Sequence, residues 1–134
     1  MQLTEILSVS GLPGLYRMAA SRKNGLIIED LSSKKRRFAP SRTYQFLPLA
    51  SISIYTTDSE GEPLDTIFRR MLEQYEDNPP VSPSASSEDL YEYLADVLPN
   101  FDRDRVYAGD IKKLIKWFTL LHELNLLTED EEEE

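Results

Sequence analysis

Apolar residues recur along the C-terminal half with helical spacing, most densely from Asp110 to Leu127 (DIKKLIKWFTLLHELNLL). At about 100° per position, Ile111, Leu114, Ile115, Phe118 and Leu121 share one side. Trp117, Leu120 and Leu124 widen that side to an arc of roughly 220°, where a surface helix needs a stripe of little more than about 100°. This helix, with Asp110 expected as its N-cap, should therefore be covered on two sides, by a neighbouring helix and by either the β part or another chain. A second stripe, Leu64, Ile67, Phe68, Met71, Leu72 and Tyr75, predicts a helix over 62–76 with Pro63 at its first position. A third helix over 88–98 follows from Leu90, Leu94, Val97 and Leu98, with Ser86 or Ser87 as cap and Pro99 as terminator. Between the last two helices, Phe101, Val106 and Tyr107 are expected as inward anchors.

The N-terminal half is patterned differently. Leu15 to Arg22 and Leu26 to Leu31 flank Lys23-Asn24-Gly25, and Asn-Gly between two such runs predicts a hairpin whose central residues take positive φ. Lys35 to Ala39 reads as a third strand stopped by Pro40, Thr43 to Leu47 as a fourth, and Pro48 to Ser51 as a 3₁₀-type turn. Ile52 to Thr56 is a β-branched run suited to a closing strand. Residues 3–8 fit either a short helix or a strand. The fold class expected is α+β: a small SH3-like β-barrel or bent antiparallel sheet, followed by a helical part.

The expected organisation is a β part over 1–57, an amphipathic helix docked on it over 58–77, and a Pro/Ser linker over 78–86 (NPPVSPSAS). A helical hairpin over 87–127 and a disordered acidic tail over 128–134 complete it. The chain has 134 residues, enough for one ordinary domain or two very small ones. It has no cysteine, so neither a disulfide framework nor a thiolate metal site is available. No apolar run approaches the roughly 20 residues of a membrane span, and the N-terminus lacks the basic region of a signal peptide, so a cytoplasmic location is expected.

Charge divides the chain. The net value of −9 combines eight basic and three acidic residues over 1–57, a net of +5, with seven basic and 21 acidic residues in the remainder, a net of −14. Lys34-Lys35-Arg36-Arg37, with Arg42 and the rings of Phe38, Tyr44 and Phe46 nearby, is the sharpest feature. Small β-barrels bind nucleic acid through such mixtures, cations holding phosphates while exposed rings stack on bases; the alternative is that the rings are core and the basic patch meets acids of the same molecule.

Catalytic and metal signals are weak. Asn100, Asp102 and Asp104 fall where the first ligands of a calcium loop would, yet Arg105 takes the place of its glycine and Ile111 that of its bidentate glutamate. His122 is the single histidine and falls inside the apolar arc of its helix. No Gly-x-Ser-x-Gly elbow or phosphate-loop pattern occurs.

The segments LTEILSVSGLPGLY (3–16), RFAP ahead of ISIYT, and FDRDRVYAGDIKKLIKWF (101–118) together resemble, over the full length of the chain, a family of short Bacteroidetes proteins known only as domains of unknown function. That resemblance implies a bacterial cytoplasmic protein with a β-rich first part and a helical second part, and it carries over no catalytic residue. The expectation is a non-enzymatic protein-interaction or adaptor module whose partner is protein, itself or another. Nucleic acid is the alternative, and no cofactor, metal or membrane is expected. The candidate surface comprises Lys34, Lys35, Arg36, Arg37, Arg42 and Trp117.

Overall fold

The computed structural model describes residues 3–58 and 61–127. Two compact units divide between Ile52 and Ser53.

The first unit is an antiparallel sheet of β1 (Ile6–Val9), β2 (Tyr16–Arg22), β3 (Gly25–Asp30), β4 (Arg36–Pro40) and β5 (Phe46–Pro48), in the order β4-β3-β2-β1-β5. The sheet is open, with β4 and β5 as its edges. Residues 3–8 resolve into a 3₁₀ turn, Leu3–Glu5, that leads into β1. Leu7, Val9, Tyr16, Ile28 and Ala39 form one buried cluster, with Leu12, Leu26, Tyr44 and Phe46 packed around it, and Leu3, Ile6, Leu15, Leu31 and Leu49 are buried as well. Burial raises the Tyr16 phenol above its ordinary pKa, and its hydroxyl donates to the Pro13 carbonyl at 2.9 Å.

The first hairpin forms as expected, but for a different reason. Arg22 pairs with Gly25, which puts Lys23 and Asn24 at the centre of the turn. Neither has positive φ, which among the described non-glycine residues occurs at Lys34 and Asn125. Gly25 is required because its Cα sits against β4: a Cβ there would meet the Ala39 carbonyl oxygen at 2.2 Å.

The expected closing strand does not join this sheet. Its residues form β6 (Ser53–Ile54), which pairs with β7 (Glu62–Pro63) in the second unit. That pairing keeps Pro63 extended, φ −64° and ψ 151°, so it precedes the helix α1 (Leu64–Glu73) as its N-cap instead of opening it.

The second unit also holds α2 (Ser87–Val97) and α3 (Ala108–Glu123). The sequence grouped 58–77 with the β part, whereas α1 lies in one unit with α2 and α3. Leu64, Ile67, Phe68 and Met71 are its buried residues, and the Phe68 ring lies 6.1 Å from that of Phe118 in α3. From its polar side, Arg70 donates to the Val97 carbonyl at 3.3 Å and Gln74 to that of Asp96 at 3.2 Å, meeting orphan carbonyls at the end of α2. Residues 78–86 thus run inside a single unit. At their end Ser86 caps α2, its hydroxyl accepting from the Asp89 N–H at 3.1 Å.

Helix α3 begins earlier than expected. Its N-cap is Tyr107, which is 66% exposed and no inward anchor, and Asp110 sits in the first turn with Oδ2 accepting from the Tyr107 N–H at 3.0 Å. Ile111, Leu114, Ile115, Phe118 and Leu121 are its buried residues, while Trp117, Leu120 and Leu124 are half-buried. The helix ends in a Schellman motif: Asn125 takes φ 59°, its N–H donates to the His122 carbonyl, and the Leu126 N–H donates to that of Leu121. The expected tail, 128–134, lies outside the described residues.

Burial raises the Tyr93 phenol well above its ordinary value of 10.0, Asp96 adding to the effect. Its hydroxyl oxygen is buried with no hydrogen-bond partner among the described residues. In the folded state the phenol stays neutral after an unfolded chain would have ionised. The associated stability is therefore complete below pH 10 and falls as pH rises above it. Tyr93→Phe should flatten that alkaline decline and leave stability at neutral pH unchanged or raised by about 1 kcal/mol, as read by urea unfolding across pH. Gly25→Ala should cost about 1–3 kcal/mol in the same assay, because the obstructing atoms belong to the backbone of β4.

Candidate interaction surface

The loop Leu31–Lys35 joins β3 to β4 and is tied by Asp30, whose Oδ1 accepts from the Ser32 and Ser33 N–H groups at 2.8 and 2.9 Å. Its backbone carbonyl takes the Lys34 N–H at 2.9 Å, and its own N–H donates to the Lys35 carbonyl at 2.9 Å. Closing the hairpin in this way leaves Lys34 in the left-handed region at φ 66°. A side chain there costs roughly 1–2 kcal/mol that glycine would not.

Lys34, Lys35, Arg36, Arg37 and Arg42 are all exposed. Successive side chains of a strand alternate, so Arg36 and Arg37 of β4 project from opposite faces of the sheet. Arg36 stands opposite Glu29 in the register, and its Nε lies 2.9 Å from Oε1. The Arg36 side chain is 65% exposed, so this pair holds the guanidinium only loosely, by roughly 1 kcal/mol or less. Arg37, on the other face, lies over the Tyr44 ring at 5.8 Å and donates to its hydroxyl at 3.4 Å. Among the described residues, Lys34, Lys35 and Arg42 hold no ion pair.

The rings near the cations separate. Tyr44 and Phe46 pack against the core, whereas Phe38 is 44% exposed. Beside Phe38 lies an open depression of about 390 Å³ lined by Asn24, Phe38, Pro40, Ser41 and Arg42. Trp117, the remaining candidate, belongs to the second unit and is half-buried on the flank of α3.

The other polar groups weighed in the sequence have local duties. Asp102 accepts from the Asp104 N–H at 3.1 Å and from Arg105 Nε at 2.9 Å, and Asn100 donates to Asp58 at 2.7 Å. Half-buried His122 joins a cluster of three mutually contacting rings, tilted against Tyr75 at 4.4 Å and parallel to Phe118 at 5.7 Å, with those two 6.1 Å apart. Sequence reasoning missed two cation–ring contacts: Arg103 covers the Tyr91 ring at 4.0 Å and Arg105 that of Tyr55 at 4.3 Å. Two arginines flanking one residue in a tight loop were a usable signal, but their distant rings were not.

The family described as "Domain of unknown function (DUF5606)" matches residues 3–49, and "Domain of unknown function (DUF6852)" matches residues 52–121. The gap between the two falls beside the division between units. A solution NMR structure from Bacteroides vulgatus, a structural-genomics target, is 41% identical over 96% of this chain and 90% of that chain, with a TM-score of 0.71. No curated protein matches.

Replacing Lys34 with glycine should leave the hairpin unchanged and raise its stability by up to about 1 kcal/mol, measured by urea unfolding, because relief of the positive φ outweighs the extra freedom glycine gives the unfolded chain.

Proposed function

The chain belongs to the Bacteroidetes family described as a domain of unknown function (DUF6852), and from that premise we propose that it is a non-enzymatic interaction module that takes an acidic protein partner on the β3–β4 hairpin. The observation that carries this reading is Lys34: a lysine is kept at φ 66°, where glycine or asparagine would cost less, and its charge joins four exposed cations. Backbone strain of this kind gathers at functional sites. Nearby, Arg36, its side chain 65% exposed, can turn from Glu29 to a partner's carboxylate with little loss.

The same residues would serve a nucleic acid. Stacking on single strands uses successive exposed rings, and here Phe38 is open while Tyr44 and Phe46 pack on the core, which favours protein. A binding rather than a catalytic role is supported by the depression beside Phe38, which brings Asn24, Ser41 and Arg42 together without a general base. The SH3-like reading of the first unit rests on its strand order, a meander from β1 to β4 with β5 returning beside β1. Trp117 offers a secondary contact on α3. A cytoplasmic setting fits this reading, and no described helix is long and apolar enough to cross a membrane.

A variant with Lys34, Lys35, Arg36 and Arg37 replaced by glutamine should lose an acidic protein that the unaltered chain retains from its host's extract, while Trp117→Phe should keep it. Retention by the quadruple variant would remove the hairpin from the interaction. Oligonucleotide binding that falls steeply with salt and vanishes in that variant would replace the protein reading with the nucleic-acid one.

A further inference from the structure

The hydrogen-bond pattern of the β3–β4 pair specifies what kind of acidic partner the hairpin accepts, an inference that rests on the protein-binding reading above. Asp30 donates to the Lys35 carbonyl, and Ser41 donates to that of Asn24. Ladder bonds alternate along an antiparallel pair, so the bonded pairs are Leu26 with Ala39 and Ile28 with Arg37. The intervening residues of β4, Arg36, Phe38 and Pro40, therefore turn their backbone groups away from β3. Pro40 has no N–H, and its carbonyl already accepts from Thr43 and Tyr44 at 3.1 Å. What remains open is a short edge: the N–H and C=O of Arg36 and Phe38, with no strand beside them among the described residues.

Charge on an edge strand ordinarily prevents pairing with other chains. Here the charge is of one sign. Lys35, Arg36 and Arg37 are consecutive, so they project alternately to the two faces and repel basic strands, another copy of β4 included. A strand that places three consecutive acids opposite them has a carboxylate for each cation, on whichever face it lies. The next position meets Phe38 and the depression beside it, which suits an apolar side chain.

We propose that β4 accepts an added antiparallel strand from an acidic partner protein, in which an apolar residue is followed by three consecutive acidic residues. The apolar residue lies opposite Phe38, and the acids lie opposite Arg37, Arg36 and Lys35 in turn. Main-chain bonds at Arg36 and Phe38 provide the docking, and the cations select the sequence.

The test uses the full chain, labelled for NMR, and a capped peptide with one valine followed by three glutamates. Binding should be saturable, slow the hydrogen exchange of the Arg36 and Phe38 amides, and weaken at least tenfold when the peptide amides facing β4 are N-methylated. Phe38→Pro removes the outward N–H without breaking a bond to β3, as edge prolines do; it should abolish that protection, whereas Phe38→Ala should retain it. Equal binding of the N-methylated peptide, with loss in the glutamine variant, would overturn strand addition and leave a purely charge-driven surface standing. Absence of peptide binding at low salt, or the same amide protection by an oligonucleotide of equal charge, would overturn the proposal. Protection of both amides in the free protein would also overturn it, since the edge would already be filled.

Discussion

Backbone N–H and C=O groups along the rim of an open sheet must be met by a turn, by water or by another strand. In the first unit this requirement organises both ends. At β5, Pro48 supplies no N–H and its carbonyl accepts from the Ser51 hydroxyl at 2.8 Å. Just past β1 the ladder continues, the Ser10 N–H donating to the Gln45 carbonyl at 3.0 Å and the Gln45 N–H to the Ser10 hydroxyl at 2.8 Å, so that by alternation only Phe46 keeps both outward groups on this rim. At β4 the same device, a proline with an occupied carbonyl, ends the strand at Pro40, but two residues before it keep their outward groups. The two rims thus differ in degree, and the less protected one carries the cations.

Arginines elsewhere in the chain show what it looks like when such groups are committed internally. Arg70 is bound to the last turn of α2, Arg105 to Asp102 and the Tyr55 ring, and Arg103 to the Tyr91 ring. Each of these fixes a loop or a helix end in the second unit. Among the described residues, Lys34, Lys35 and Arg42 fix nothing comparable, and Arg36, itself exposed, has only the half-buried Glu29 as ion-pair partner. The contrast separates cations that build the fold from cations held at its surface.

What the sequence revealed follows from the range of each interaction. The five buried residues of α3 were legible because helical periodicity is a local property, as were the cap at Ser86 and the stop at Pro40. The role of Gly25 was misread because its constraint comes from Ala39, fourteen residues further on and across a strand pair. Ile52 to Thr56 read as a strand and partly is one, yet a β-branched run does not say which sheet it joins; Glu62 and Pro63, beyond a loop, decided that. At the surface, the basic run was visible as composition, but its exposure on both faces depended on β4 lying at the rim, which is topology. Tyr44 and Phe46 could not be told from Phe38 until the core was known.

The position of Pro40 has a consequence for how long any contact at this rim can last. With the strand cut off there, only two residues offer main-chain groups, worth in total on the order of a few kcal/mol once water is displaced. A partner held by so short a seam exchanges quickly, and its residence time is governed by ionic strength more than by backbone pairing. A seam of this length is also too short to template a growing stack of strands, so the chain can keep a rim open to others without seeding fibres of itself.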